Sequence, residues 1–431
     1  MSKPELSQSS SNAAPSLIER RRRAMGPVYA TFYDVPLHLV RGKGVWLEGA
    51  DGRRYLDAYN NVPSVGHCHP RVVAALAAQA GRLNTHTRYL TEPVIELAEK
   101  LLGTLPDHLE HAMFTCSGSE SNDLALRIAM EASGGRGVVI TRFAYHGNSL
   151  ATVELSPAER GVRLPDHHRA VDAPDTFTNA GQGARTFARS VAEAFADMAA
   201  QGTRPAALLI DSAFSSDGIY FPPREAVQGA VDAARAAGAV VIADEVQSGF
   251  GRLGDAMWGF EVHGFRPDIV TLGKPMGAGH PVGAVVVTPE IVAPFTARFG
   301  YFNTFGGNPV SAAAAIAVLD AIADEGLLDN ARDAGGHMLS LLSEVARQHA
   351  AIVNIRSRGL YTGVELAGDE RRGGADVARR VVNEMCRRGV LISLCGPNAN
   401  VLKIRPPLPF SRSNAEQLAQ TLAATLSSLQ H

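Results

Sequence analysis

Cysteine is scarce and scattered. Four cysteines in 431 residues, Cys68, Cys116, Cys386 and Cys395, are too few and too far apart for a disulfide framework. No apolar run approaches the ~18 residues that a membrane span needs, and no apolar stretch follows the N-terminus as in a secretion signal. Neither sign of charge is in excess: 41 basic against 43 acidic side chains leave a formal net charge of −2. A broad nucleic-acid-binding surface needs a basic field, so that class of partner is excluded. Internal repeats are also absent. What the chain does have is 45% hydrophobic residues, enough for a large core and too many for global disorder. At roughly 100–200 residues per domain, its length suits two or three lobes. These bounds predict a soluble, cytoplasmic protein of enzyme size.

Residues 1–16, rich in Ser, Asn, Ala and Pro, read as a disordered arm. Arg20 to Arg23 begin a short helical stretch. A solvated helix face explains that basic run; a targeting peptide or an RNA contact is the sharper alternative. Segments 45–49 and 54–58 form a hairpin around Asp51-Gly52. From about Pro70, helical runs at 70–82 and 92–105 precede short apolar runs at 112–116, 137–141, 206–210, 239–243 and 268–272. These runs barely alternate, which predicts strands covered on both faces. Helices lie between them, for example 225–237 closed by Gly238. The pattern is that of a mostly parallel α/β sheet. Beyond about 310, helices at 311–325 and 327–349 lead into strand-like pieces at 352–355, 361–366, 390–394 and 400–404, then a helix near 413–429. That is a smaller α+β lobe. The expected division is an arm (1–27), the first part of a small domain (28–66), a large domain (67–310) and the rest of the small domain (311–431).

In such sheets ligands sit beyond the carboxyl ends of the strands. After 112–116 come Ser117-Gly118-Ser119-Glu120, then helical periodicity. A small, Gly-containing turn at a helix N-terminus presents free N–H groups that suit a phosphate, although an ordinary Ser cap has the same form. After 137–141 come Tyr145-His146-Gly147, which offer a flat aromatic face. After 239–243 comes Asp244, placed to hold a ring nitrogen protonated or to cap a turn. After 268–272 comes Lys274, followed by Pro275 and Gly277. A lysine held there can be partly buried, with a depressed pKa suited to a Schiff base; a surface lysine is the alternative. His67-Cys68-His69 lacks a completing carboxylate or second cysteine pair, so we expect a structural turn and no metal.

Together, a phosphate cradle, an aromatic plate, a ring-nitrogen carboxylate and a strand-end lysine describe a pyridoxal phosphate site. The segments DEVQSGFGR (244–252), GKPMGAGHPVG (273–283) and NTFGGNPVSAAAA (303–315) resemble the class III aminotransferases of pyridoxal phosphate fold type I, from about residue 28 to 428. The resemblance implies a large domain with helices around a mostly parallel sheet, a smaller α+β domain and pyridoxal 5'-phosphate as cofactor. It implies Lys274 as the Schiff-base lysine, Asp244 on the pyridine nitrogen, Gln247 on the ring hydroxyl and Tyr145, with its neighbour His146, against the ring. Ser117, Gly118 and Ser119 would cradle the phosphate. Thr304 would join them from the neighbouring subunit of an obligate homodimer with its site at the interface.

Two positions depart from that family. Asp211-Ser212 replaces its usual Glu-Pro, and Lys403, just before Arg405-Pro406-Pro407, occupies the slot of a carboxylate-gripping Arg. Lys and Arg are not interchangeable there. In an extended strand Lys403 and Arg405 share a face, which suits a dianion, or an edge protected by charge. Further motifs, YNNVPSVGHCHP (59–70), LNTHTRYL (83–90) and VLKIRPPL (401–408), resemble the ethanolamine-phosphate phospho-lyases, a non-transaminating branch. Arg88 is then a further candidate for the substrate phosphate. The leading expectation is elimination of phosphate from O-phosphoethanolamine or a related amino-alkyl phosphate; phosphohydroxylysine would use the same chemistry. An ω-aminotransferase and a non-catalytic, cofactor-bound regulatory protein are the alternatives.

Overall fold

A computed structural model describes residues 16–177 and 181–429. Most of the expected N-terminal arm, residues 1–15, lies outside them. Contacts divide the chain into one unit ending at His38 and a second beginning at Leu39. The first holds helix α1 (Leu17–Met25), which starts where Ser16 Oγ accepts the Glu19 N–H and the Glu19 carboxylate accepts the Ser16 N–H. This reciprocal cap satisfies two otherwise orphaned donors. The arginine run lies on this helix, which has no buried residue.

The second unit opens with strands β1 (Leu39–Lys43), β2 (Trp46–Gly49) and β3 (Arg54–Asp57), paired antiparallel. The β2–β3 turn falls at Asp51-Gly52, as expected. Gly52 there takes φ +78°, which only glycine adopts cheaply. Helices α2 (Pro70–Arg82) and α3 (Glu92–Leu102) follow, each with a proline in its first turn.

A seven-stranded sheet then forms from β4 (His111–Thr115), β5 (Gly137–Thr141), β6 (Arg169–Val171), β7 (Pro205–Asp211), β8 (Val240–Asp244), β9 (Ile269–Leu272) and β10 (Gly283–Val287). Their order is β4-β10-β9-β8-β7-β5-β6. The connecting helices are α4 (Gly118–Ser133), α5 (Leu150–Glu154), α6 (Gln182–Ala200), α7 (Arg224–Ala236) and α8 (Gly259–His263). Every residue of β5, β7, β8, β9 and β10 is buried, which is why these segments carry unbroken apolar runs. All adjacent pairs from β6 to β9 are parallel. Strand β10, which the sequence reading passed over, runs antiparallel between β4 and β9. In the β7–β8 register Asp211 lies opposite Asp244, so both carboxylates reach the same sheet edge.

Helices α9 (Pro289–Arg298), α10 (Pro309–Asp324) and α11 (Leu327–Gln348) lead to β11 (Ile352–Arg358), β12 (Tyr361–Leu366), α12 (Gly374–Arg387), β13 (Val390–Leu391), β14 (Ser393–Cys395), β15 (Val401–Ile404) and α13 (Arg412–Leu429). Strands β11-β12-β15-β14 form an antiparallel sheet. Strand β13 instead pairs in parallel with β3, so the start and end of this unit share a sheet. Among the described residues no helix is long and apolar enough to cross a membrane.

Candidate active site

The carboxyl ends of β4, β5, β7, β8 and β9 surround a cavity of about 200 Å³. Its floor is the turn into α4. Ser117 Oγ accepts the Glu120 N–H at 3.2 Å, and Glu120 Oε2 accepts the Cys116 N–H at 2.8 Å. This cap leaves the N–H groups of Gly118 and Ser119 without intrahelical acceptors at the positive end of the helix dipole. The Ser119 hydroxyl donates to Asn148 Oδ1 at 2.9 Å and accepts from the Asn148 N–H at 3.1 Å, tying the turn to the loop after β5. Packing here is at backbone distance. A Cβ on Gly118 would lie 2.8 Å from Val246 Cγ1, and one on Gly273 would lie 2.9 Å from Gly118 Cα.

Asp244 is buried at the end of β8 and carries the most connected carboxylate facing the cavity. Its Oδ2 accepts Asn122 Nδ2 at 2.8 Å and lies 2.7 Å from His146 Nδ1, and its Oδ1 accepts the Val246 N–H at 3.1 Å. Asn122 also donates to His146 O at 2.7 Å and accepts from Thr271 Oγ1 at 2.6 Å. Strand β9, helix α4 and the loop after β5 are thereby locked to one carboxylate. Among the described residues Nε2 of the buried His146 has no partner. Asn122 was not singled out from the sequence. The signal was there: it is polar on the same helical face as Ala125 and Ala129, both fully buried.

Lys274 follows β9 in a single 3₁₀ turn, Lys274–Gly277, that Pro275 helps to fix. Its Nζ lies 6.0 Å from the centroid of the Tyr145 ring. Burial, then the nearby Arg405 charge, pushes its amine down to about 8, while Asp244 and Asp211 pull upward. The Asp211 carboxylate also lines the cavity, pinned by the N–H groups of Ala213 and Ser215, both at 2.9 Å.

A cationic cluster stands behind the cavity wall at Gln247. Lys403 on β15 and Arg405 just beyond it do share a face, and both are buried. Gln247 Oε1 accepts from Arg405 Nη1, from Lys403 Nζ at 3.4 Å and from Tyr361 Oη at 3.4 Å. Lys403 Nζ also donates to Ser215 O at 3.1 Å. Burial, then Arg405, holds the Lys403 amine down at about 7. The Arg405 guanidinium sits 4.7 Å from the Tyr59 ring centroid and hydrogen-bonds the Tyr59 side chain, and among the described residues its Nε has no partner. Among the described residues neither cation forms an ion pair with a carboxylate. Arg252, from the DEVQSGFGR segment, is buried beside Arg405 and donates to two backbone oxygens, Pro406 O at 2.6 Å and Leu360 O at 3.3 Å.

Thus one chain brings Ser117, Gly118, Ser119, Tyr145, His146, Asp244, Gln247 and Lys274 to a single cavity, with Lys403 and Arg405 just behind it. It does not bring Arg88 or Thr304 there. Both lie exposed on neighbouring loops, where the Arg88 guanidinium covers the Phe302 ring at 4.1 Å. His67 Nε2 lies 2.7 Å from Asp57 Oδ2 and His69 Nε2 lies 2.9 Å from Glu325 Oε1, carboxylates that the sequence did not place beside them.

A family model for aminotransferase class-III matches residues 28–426. The chain is 41% identical over 418 residues to a Drosophila melanogaster protein named alanine–glyoxylate aminotransferase 2-like, covering 93% of this chain and 84% of the relative. It is 34% identical to ethanolamine-phosphate phospho-lyase homolog 1 of Caenorhabditis elegans, covering 95% and 93%. A solved phospholyase from Arthrobacter, in complex with phosphoethanolamine, superposes with a TM-score of 0.93 at 41% identity, covering 96% of this chain and 100% of that one. The chain belongs to the class III aminotransferase family, whose enzymes depend on pyridoxal 5'-phosphate, and has its fold type I architecture.

Proposed function

We propose that this family member is a phospho-lyase that eliminates phosphate from O-phosphoethanolamine or a closely related amino-alkyl phosphate, giving an aldehyde, ammonia and phosphate. The observation that carries the reading is the buried pair Lys403 and Arg405, converging on Gln247 at the cavity wall without a carboxylate partner among the described residues. A buried cation is costly unless something compensates it, and a substrate dianion would. The phosphoethanolamine in the similar Arthrobacter phospholyase supports the same substrate class.

The residues present fit the cofactor. The N–H groups at Ser117–Ser119 suit its phosphate, and the glycines keep side chains out of the cradle. Tyr145 and His146 would flank its ring, Asp244 would hold the ring nitrogen and Gln247 the ring hydroxyl. When bound, pyridoxal phosphate supplies a carbonyl carbon that captures a primary amine and a ring that accepts an electron pair. The protein's part is to move protons and place charge. Lys274, lowered to about 8, holds a usable neutral fraction near neutral pH and takes the proton from the carbon bearing nitrogen at its Nζ. Asp244, with its donors fixed, keeps a positive charge beside it. Lys403 and Arg405 stabilise the charge growing on the departing phosphate as the C–O electrons leave with it.

Asp211 supports elimination over transfer. Where transaminases of this family carry a Glu that switches between two substrates, this shorter carboxylate is held by two backbone N–H groups. The competing ω-aminotransferase reading draws on the name of the Drosophila relative. Homodimer formation is part of the proposal. The loops carrying Arg88 and Thr304 expose Tyr89, Leu90, Phe302 and Phe305, an apolar patch of the kind a second subunit covers. The test is to incubate the enzyme with O-phosphoethanolamine, with and without a keto acid. Phosphate release without keto acid supports the lyase. A new amino acid formed only with keto acid supports the transaminase. Neither product leaves the non-catalytic reading.

A further inference from the structure

Asp244 has an acidic neighbour in sequence that the cavity does not use. Glu245 is fully buried on the opposite side of the chain, toward α8. Four donors surround its carboxylate. Oε1 accepts Ser212 Oγ at 2.6 Å and the Phe260 N–H at 2.8 Å; Oε2 accepts the Gly259 N–H at 2.7 Å and Ser248 Oγ at 2.9 Å. They come from three segments: the end of β7, the turn after β8 and the start of α8. The fit is close enough that a Cβ on Gly259 would lie 2.7 Å from Ser212 Cβ and 2.9 Å from Ser248 Cβ. Ser212 is itself fixed, because its carbonyl lies 2.7 Å from His263 Nε2. Burial pushes the Glu245 carboxyl up to about 7 although all four donors pull it down. Among the described residues no lysine or arginine is bonded to it, so these four donors are what stabilises its ionised form.

We propose that Glu245 is a positioning residue for the cofactor, clamping the turn that carries Asp244 and Gln247, and that Ser212 supplies a donor on which the clamp depends. A carboxylate has two acceptor oxygens and can serve four donors; a carboxamide has one and would turn its own N–H₂ against the others. Ser212 stands where the wider family carries Pro, which has no hydroxyl to give. Since Asp244 and Glu245 share a peptide bond, a shift of one moves the other.

The test uses purified full-length Ser212→Ala, Glu245→Gln and the double variant, with Asn330→Ala as a control. Asn330 bonds Leu408 O and Phe410 O from α11 and does not line the cavity. Cofactor dissociation constants, the absorbance maximum of bound cofactor and melting temperatures are measured for each. Losing a hydrogen bond to a charged group predicts cofactor binding weakened roughly tenfold to a hundredfold in Ser212→Ala, with a displaced absorbance maximum. The double variant should be little worse than Glu245→Gln, because Ser212 acts through Glu245. Asn330→Ala should lower the melting temperature and leave cofactor affinity and absorbance alone. Ser212→Ala and Glu245→Gln proteins that melt earlier but keep the parent's cofactor affinity and absorbance would overturn the proposal. Fully additive losses in the double variant would overturn the role given to Ser212.

Discussion

Two buried polar regions meet at Gln247, and they are built in opposite ways. Around Asp244 the carboxylate has a partner for each oxygen, drawn from α4, the loop after β5 and its own turn. Around Lys403 and Arg405 two basic side chains share one amide oxygen, with the Ser215 carbonyl and the Tyr59 side chain as further partners, and among the described residues Arg405 Nε has none. A carboxylate with both oxygens bonded is rigid and presents a fixed charge. An under-satisfied cationic cluster is costly alone and is relieved when an anion arrives. The first region suits a resident cofactor; the second suits a dianion that comes and goes.

The contrast can be broken at its catalytic end first. Lys274→Ala should fold, lose the absorbance of lysine-bound cofactor and lose nearly all turnover. A variant that keeps both would remove the basis for placing the cofactor in this cavity. Asp244→Asn comes next. A preorganised electrostatic contact at a reacting site is worth ~3–4 kcal/mol, so turnover should fall by about two to three orders of magnitude. Near-normal turnover would show that the charge of Asp244 is not needed.

Changes in the second region should cost less and spare the cofactor. Lys403→Ala should lower kcat/KM for the amino-alkyl phosphate roughly tenfold to a hundredfold, the range of one charged hydrogen bond, with cofactor absorbance unchanged. The smallest effect is one of pH. Burial and Arg405 hold Lys403 at about 7, below its ordinary value. An anion binds the charged amine, so affinity is full below that pH and falls as pH rises through it, by at most about tenfold per unit. Sulfate, whose own charge is constant over this range, is the probe. A flat sulfate affinity from pH 6 to 9 would place Lys403 outside the anion site.

The first region was largely legible in the sequence because its chemistry is local. Ser117 and Asp244 each follow an apolar run directly and Lys274 follows one after a single glycine, and the end of a strand fixes where such a residue points. The alternation of Lys403 and Arg405 was legible for the same reason. Their partners were not: Gln247 and Ser215 lie 156 and 188 residues away. Asn122 was missed because its helix reads as an ordinary amphipathic one until its contact across the sheet is seen. Glu245 was hidden behind Asp244, and β10 behind the glycines that precede it. Arg88 and Thr304 are exposed in the single chain, and the role expected of Thr304 rests on the proposed second subunit.

The division of labour between the two regions is tested most directly by anion binding to the cofactor-loaded protein. A phosphonate analogue of the substrate should bind the parent and bind Lys403→Ala at least roughly tenfold more weakly, with equal cofactor occupancy in both. Equal affinity in the two proteins would show that the substrate phosphate is received elsewhere.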